Sequence, residues 1–239
     1  MIFTEIARVT LRSLLGRRRT ILMLLLAALP ILVGLLVRAN SPGVRDVGGT
    51  LDGLVIRIVL PLVALVFGTA ALGSELEDGT AVHLLTKPIR RSTIVLAKVA
   101  VAGSLTALML VPSTAIAALL LARPGSDAAT TALAMSVGIF AGSFLYVSIF
   151  AALGVVTSRG LIFGLGYALI WEGLLAGLLP GSQVFSVREY VRGIVELISP
   201  SAIESIVGSG AVIYAAVALV AAIVIGSVRL AAYEVRGTD

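Results

Sequence analysis

The chain alternates long apolar runs with short charged ones, and the charges mark where the runs end. Eighteen uncharged residues lie between Arg19 and Arg38, 17 between Arg57 and Glu75, 24 between Lys98 and Arg123, 31 between Asp127 and Arg159, and 24 between Glu204 and Arg229. A further run from Gly160 to about Pro180 is broken only by Glu172. These runs are continuous rather than alternating, and about 20 apolar residues carry a helix across roughly 30 Å of hydrocarbon, so the pattern predicts transmembrane helices and not a β-barrel. The expected fold is an all-α membrane protein of six spans, at about 20–37, 55–74, 94–122, 133–157, 160–180 and 206–228.

Two stretches show helical amphipathicity outside the spans. In residues 1–17, Ile2, Phe3, Ile6, Val9 and Leu14 share one face while Thr4, Glu5, Arg8 and Arg12 share the other, which predicts a helix lying in the headgroup layer. In the segment 181–205, Val184, Val187, Tyr190, Val191, Ile194 and Ile198 oppose Arg188, Glu189, Arg192 and Glu196. Pro200 ends that helix, and Ser201 with Glu204 reads as a capping box for the sixth span. The pieces between spans are too short to bury a core of their own, so residues 1–239 read as one transmembrane domain.

Composition narrows the class further. The chain is 59% hydrophobic and 13% charged, with a mean hydropathy of +1.10, beyond what a water-soluble globule sustains. The net charge of +5 sits at the ends of apolar runs, where lipid headgroups and topology explain it and nucleic acid is not needed. With the N-terminus inside, twelve of the 18 Lys and Arg fall on the cytoplasmic side, and the positive-inside rule therefore predicts cytoplasmic termini in the cell membrane. The first apolar run exceeds a signal-peptide core of about 7–15 residues and no small-x-small site precedes Arg38, so it reads as a retained span. Cys is absent and His83 is the sole His, which argues against a transition-metal site.

The polar run ELEDGTAVHLLTKPIRR, residues 75–91, joins the second and third spans. Asp78 can cap a short helix, Gly79 permits the turn out of the membrane, and Pro88 stops the helix near Thr86. Ala81, Val82, Leu84 and Leu85 need a packing partner, and Glu75, Glu77 and Asp78 offer it charge. The cluster Lys87, Arg90, Arg91 and Lys98 then faces the inner leaflet, and Ser92 can start the third span. Read from physics alone, any tight cytoplasmic loop would carry such polar residues.

The stretch GSELEDGTAVHLLTKPIRRSTIVLAKVA resembles the corresponding region of permeases of ATP-binding-cassette (ABC) transporters of the type-2 exporter class. The matching residues are Glu75, Glu77, Gly79, Thr80, Leu84, Leu85, Pro88, Arg91, Ile94, Val95 and Lys98, with Lys87 where Ser or Ala is usual. The resemblance implies that 75–92 is a coupling helix seated on a separate ATPase, with Glu75, Glu77, Asp78, Gly79, Thr80, His83, Leu84, Leu85 and Pro88 at the contact. It also implies two ATPase subunits and a second permease chain, the same or homologous, and outer-leaflet helices between spans five and six that help close the exit. The chain itself holds no cofactor on this reading. ATP and Mg belong to the partner, since neither Lys87 nor Lys98 stands in a phosphate-binding loop.

Four residues outside the loop are candidates for the translocation path or gate: Glu172, Arg57, Tyr190 and Ile194. A carboxylate inside a span costs several kcal/mol unless it is paired, protonated or wetted. Glu172 is therefore either part of a path or gate, or a hydrogen-bonding post near Trp171. Arg57 stands at the outer mouth of the second span or snorkels to headgroups. The pairs Gly138/Gly142, Gly160/Gly164 and Gly173/Gly177 allow close helix approach, and Pro30, Pro61 and Pro112 are expected to kink their spans. No span is expected to contain an Asp, which disfavours an intramembrane protease; a secondary transporter and a transducing subunit that moves no solute remain the alternative readings.

Overall fold

The computed structural model describes residues 2–40, 46–77, 90–122, 127–178 and 181–232. Helix α1 is Ile2–Leu14 and α2 is Arg17–Asn40. Helix α3 runs through Val47–Leu51, a π-helical stretch Asp52–Val59, and Leu60–Glu77. Helices α4, Arg91–Leu121, and α5, Ala128–Val156, follow. Helix α6 comprises Gly160–Gly166, a π-helical stretch Tyr167–Leu175 and Ala176–Leu178. Helix α7 is Val187–Ile198 and α8 is Ala211–Ala231.

Five stretches among the described residues are long and apolar enough to cross a membrane: Thr20–Asn40, Val47–Gly73, Arg91–Leu121, Ala128–Val156 and Gly208–Ala231. The expected fifth span, 160–180, corresponds to the shorter apolar helix Gly160–Leu175. It passes beside α3 nonetheless, because Gly164 approaches Leu65 while Gly173 lies against Arg57.

Helix α5 is the hub and packs against α3, α4, α6, α7 and α8. Its buried face includes Tyr146, Val147 and Phe150, none of them accessible, and Phe150 stacks on Tyr146 with centroids 5.8 Å apart. Helices α2 and α8 are peripheral: only 22% of each span window is buried, against 67% for α5. Their outward Leu, Ile and Val side chains face what must be lipid, because such a surface is insoluble in water.

Inside the spans, several hydroxyl groups find carbonyl partners. Thr106, Thr114 and Ser143 each donate to the carbonyl four residues back, at 2.9, 2.7 and 2.7 Å, and Ser113 crosses to the Ala27 carbonyl of α2. A membrane interior offers no water to take over these bonds.

Several expectations are corrected. Helix α3 begins at Val47 rather than near 55, because Asp46 caps it by accepting from the Gly49 N–H at 2.9 Å. That extension brings Asp52 into the span window, so a span does contain an Asp. Lys98 does not face the leaflet: it is 1% exposed and its Nζ donates to the Ala71 carbonyl at 2.7 Å, stapling α4 to α3. In α1 the buried stripe is Ile6, Thr10 and Leu14, while Val9 is 59% exposed. Thr10 tolerates burial by donating to the Ile6 carbonyl at 2.8 Å. Helix α4 starts at Arg91 with Arg90 at the cap position, not at Ser92. Ser201 and Glu204 do not cap the last helix, which begins at Ala211 after a 3-10 turn, Gly208–Gly210.

Pro61 lies two residues past the end of the π-helical stretch of α3. Proline has no N–H to return to the preceding turn, and widening that turn is one way a helix passes a missing donor. Pro30 and Pro112 remain inside α2 and α4.

Candidate functional site

One end of the bundle, the end away from Glu77 and Arg90, is covered by α7. This helix carries apolar residues on one face, and Val187, Tyr190, Val191 and Val195 are buried. It lies on α5 where Gly138 and Gly142 leave room for it. A Cβ at Gly138 would meet Val195 Cγ2 at 2.5 Å, and one at Gly142 would meet Leu60 Cδ2 and Val191 Cγ2 at 2.7 Å. The small-residue pair thus seats an amphipathic helix rather than a span.

Two acids from two different helices hold α7 in place. The first is Glu172, 2% exposed, in the π-helical part of α6. Its Oε1 accepts from Tyr167 Oη at 2.8 Å and from the Val187 N–H at 2.8 Å, and its Oε2 accepts from Ser186 Oγ at 2.5 Å. The π-helical turn explains the first bond, since i→i+5 winding brings positions 167 and 172 onto one face, which α-helical winding would not. The other two bonds place a carboxylate on the N-terminus of α7, where free backbone donors and the helix dipole favour negative charge. Ser186 itself caps α7, accepting from the Glu189 N–H at 3.3 Å.

The second acid is Asp52, 8% exposed, in the π-helical part of α3. Arg188 donates to its Oδ2 at 2.5 Å, and Arg192 lies 3.7 Å from Oδ1. Arg192 also donates to Glu189 Oε1 at 2.5 Å and to the Glu204 carbonyl at 2.7 Å. Glu189, 4% exposed, reaches the Ser205 hydroxyl and the Ile206 N–H at 3.4 Å each. The charged face of α7 is therefore folded inward and paired. Burial opposes the Arg188 charge, but the hydrogen bond and charge of Asp52 overcome it and raise its pKa. Burial also raises the Tyr190 phenol, with the Glu172 charge adding to it.

The structure brings Glu172, Arg57 and Tyr190 into this region. Arg57 Nη2 donates to the Gly173 carbonyl at 2.6 Å, tying α3 to α6 beside the Glu172 turn. Tyr190 donates to the Val184 carbonyl at 2.5 Å and stacks on Tyr214 of α8, centroids 6.0 Å apart. Ile194, one turn on, is partly buried against the core. Residues 78–89, which carry Asp78, Gly79, Thr80, His83, Leu84, Leu85 and Pro88, lie outside the described residues, as do the side chains of Glu75 and Glu77.

Sequence reasoning missed Asp52, Ser186 and Tyr167. Ser186 and Glu189 were findable, because Ser-x-x-Glu ahead of an apolar run is a capping box. Asp52 carried no local signal.

An apolar helical bundle with five helices long enough to cross a membrane among the described residues defines a multi-pass membrane protein. A family model described as "ABC-2 family transporter protein" matches residues 4–202, which takes in α1 through α7. The chain belongs to that family: it is a permease-type membrane protein, the membrane subunit and not the ATPase. A search of curated proteins gives no match.

Proposed function

We propose that the chain is the membrane-spanning permease subunit of an ATP-driven exporter of the ABC type. In this reading two copies of a separate ATPase bind ATP and Mg, and the segment 75–92 docks on one of them through Glu75, Glu77, Asp78, Gly79, Thr80, His83, Leu84, Leu85 and Pro88. A second permease chain, the same or homologous, completes the translocation path. Residues 160–178 serve as the fifth of six spans, and the termini are cytoplasmic.

The observation that supports this best is the double tether of α7. Asp52 on α3 and Glu172 on α6 hold one short helix from two sides. Closure of the ATPases pushes on the segment that continues α3, and tilting α3 away from α6 strains both tethers together. Helix α7 is then the exit gate. With the tethers made, the exit is shut; with one broken, Tyr190 and Ile194 move apart from the bundle.

The test is a cysteine at Ile194 in the complex reconstituted with its ATPase. Labelling by a membrane-impermeant thiol reagent is expected to change at least severalfold between the nucleotide-free and ATP-trapped states, and constant labelling rejects the gate. Solute flux measured in the same proteoliposomes separates transport from transduction without solute movement.

A further inference from the structure

A groove of about 540 Å³ opens where α1 crosses α4, lined by Ala7, Arg8, Leu11, Ala100, Ser104 and Leu108 among others. A second groove of about 290 Å³ continues from it, sharing Ser104 and Leu108 and reaching Val111, Pro112 and Phe140. Both are nearly wholly apolar, and the polar groups they offer are Arg8 in the first groove and Ser104 where the two meet. From Ala100 to Pro112 the track follows twelve residues of helix, about 18 Å at 1.5 Å per residue. One leaflet of hydrocarbon is roughly 15 Å deep, half of the ~30 Å core.

Two features identify what fits. Arg8 stands at the headgroup end of the track, exposed and held only by the equally exposed Glu5 at 3.7 Å, a pairing that restrains it little. Arg12, one turn on, is exposed as well. The second feature is Ser104. Thr106, Thr114, Ser136 and Ser143 return their hydroxyls to the carbonyl four residues back, whereas Ser104 has no hydrogen-bond partner among the described residues. An exposed hydroxyl left unpaired inside a membrane span is suited to an oxygen that arrives with a ligand.

We propose that this track is a binding site for one anionic glycerophospholipid of the leaflet that holds α1. Its phosphate pairs with Arg8, a glycerol-ester oxygen accepts from Ser104, and one acyl chain lies along Leu108, Val111 and Pro112 to Phe140. The lipid wedges α1 against α4 and so fixes the angle of the amphipathic helix. A second copy of the chain is a poorer occupant, because it would bring its own basic α1 against Arg8.

Trp171 is the only Trp, which gives a clean probe. In a Trp171→Phe background, Leu108→Trp places an indole in the track and Val217→Trp places one on the exposed face of α8, both in proteoliposomes of mixed phospholipids. Quenching by acyl-brominated phosphatidylglycerol is compared with quenching by acyl-brominated phosphatidylcholine. The indole of Leu108→Trp is expected to prefer the anionic lipid about fivefold, what one basic residue contributes near a charged headgroup. The Val217→Trp indole shows no preference, and adding Arg8→Gln abolishes it in the track; Ser104→Val reduces it. Equal preference at the two positions overturns the site in favour of an ordinary lipid annulus. No quenching by either lipid at the Leu108→Trp indole overturns it in favour of a protein segment seated there.

Discussion

Arg188 and Asp52 meet at 2.5 Å although 136 residues separate them in the chain. Arg188 is on the covering helix α7 and Asp52 on α3, so this one pair joins the lid of the bundle to its wall. Asp52→Asn removes the charge from a buried site that also holds Arg192. Breaking a buried pair by removing one partner costs about 3–5 kcal/mol, because the remaining charge stays desolvated. The expected outcome is faster amide exchange throughout Val187–Ile198 and a lower melting temperature, with α4 and α5 protected as before. Exchange confined to residue 52 would show that the pair does not hold α7.

Glu172 separates hydrogen bonding from charge. Glu172→Gln keeps an acceptor for the Val187 N–H and Tyr167, while Glu172→Ala leaves three donors unmet, the buried Val187 N–H and Ser186 hydroxyl at about 1–3 kcal/mol each and the part-buried Tyr167 at less. Assembly with the partner subunits is expected to survive Glu172→Gln with altered transport, and α7 exchange is expected to rise much more in Glu172→Ala. Normal transport in Glu172→Gln would make the residue a packing post alone.

Gly142 and Gly166 should behave as opposites. Nothing lies within 4 Å of a Cβ at Gly166, whereas one at Gly142 meets Leu60 and Val191. Gly166→Ala is expected to be neutral or stabilising by up to about 1 kcal/mol, and Gly142→Val destabilising by about 1–3 kcal/mol through overpacking. Thermal unfolding in one detergent compares them directly, and the Ile194 cysteine reports whether Gly142→Val lifts α7.

The segment 75–92 is tested by capture. Leu84→Asp and Glu77→Arg are each expected to abolish recovery of the ATPase while leaving membrane insertion intact. Unchanged recovery from both would remove the coupling role.

Lys98→Met keeps most of the buried stem and deletes the donor to the Ala71 carbonyl. A loss of about 1–3 kcal/mol is expected from that carbonyl. Lys98→Glu is expected to prevent stable assembly, since it buries a charge beside the same oxygen. A leaflet-facing lysine would tolerate both changes.

What the sequence determined by itself was the class of solvent and the helical nature of the spans. Uninterrupted apolar length has only one use at this hydropathy, and the faces of α7 follow from a period that the chain carries locally. The family resemblance was likewise legible from a contiguous run. Pairing across the fold was not. Lys98 read as a headgroup cation because a charge at the edge of an apolar run looks the same whether it meets lipid or the Ala71 carbonyl. The pairing of the polar face of α7 was not legible because nothing near Arg188 in sequence announces an acid 136 residues earlier. Glu172 was visible as a cost, and only the tertiary structure showed what meets that cost: a buried carboxylate must find donors, and which helix end supplies them depends on how α5, α3 and α6 pack together.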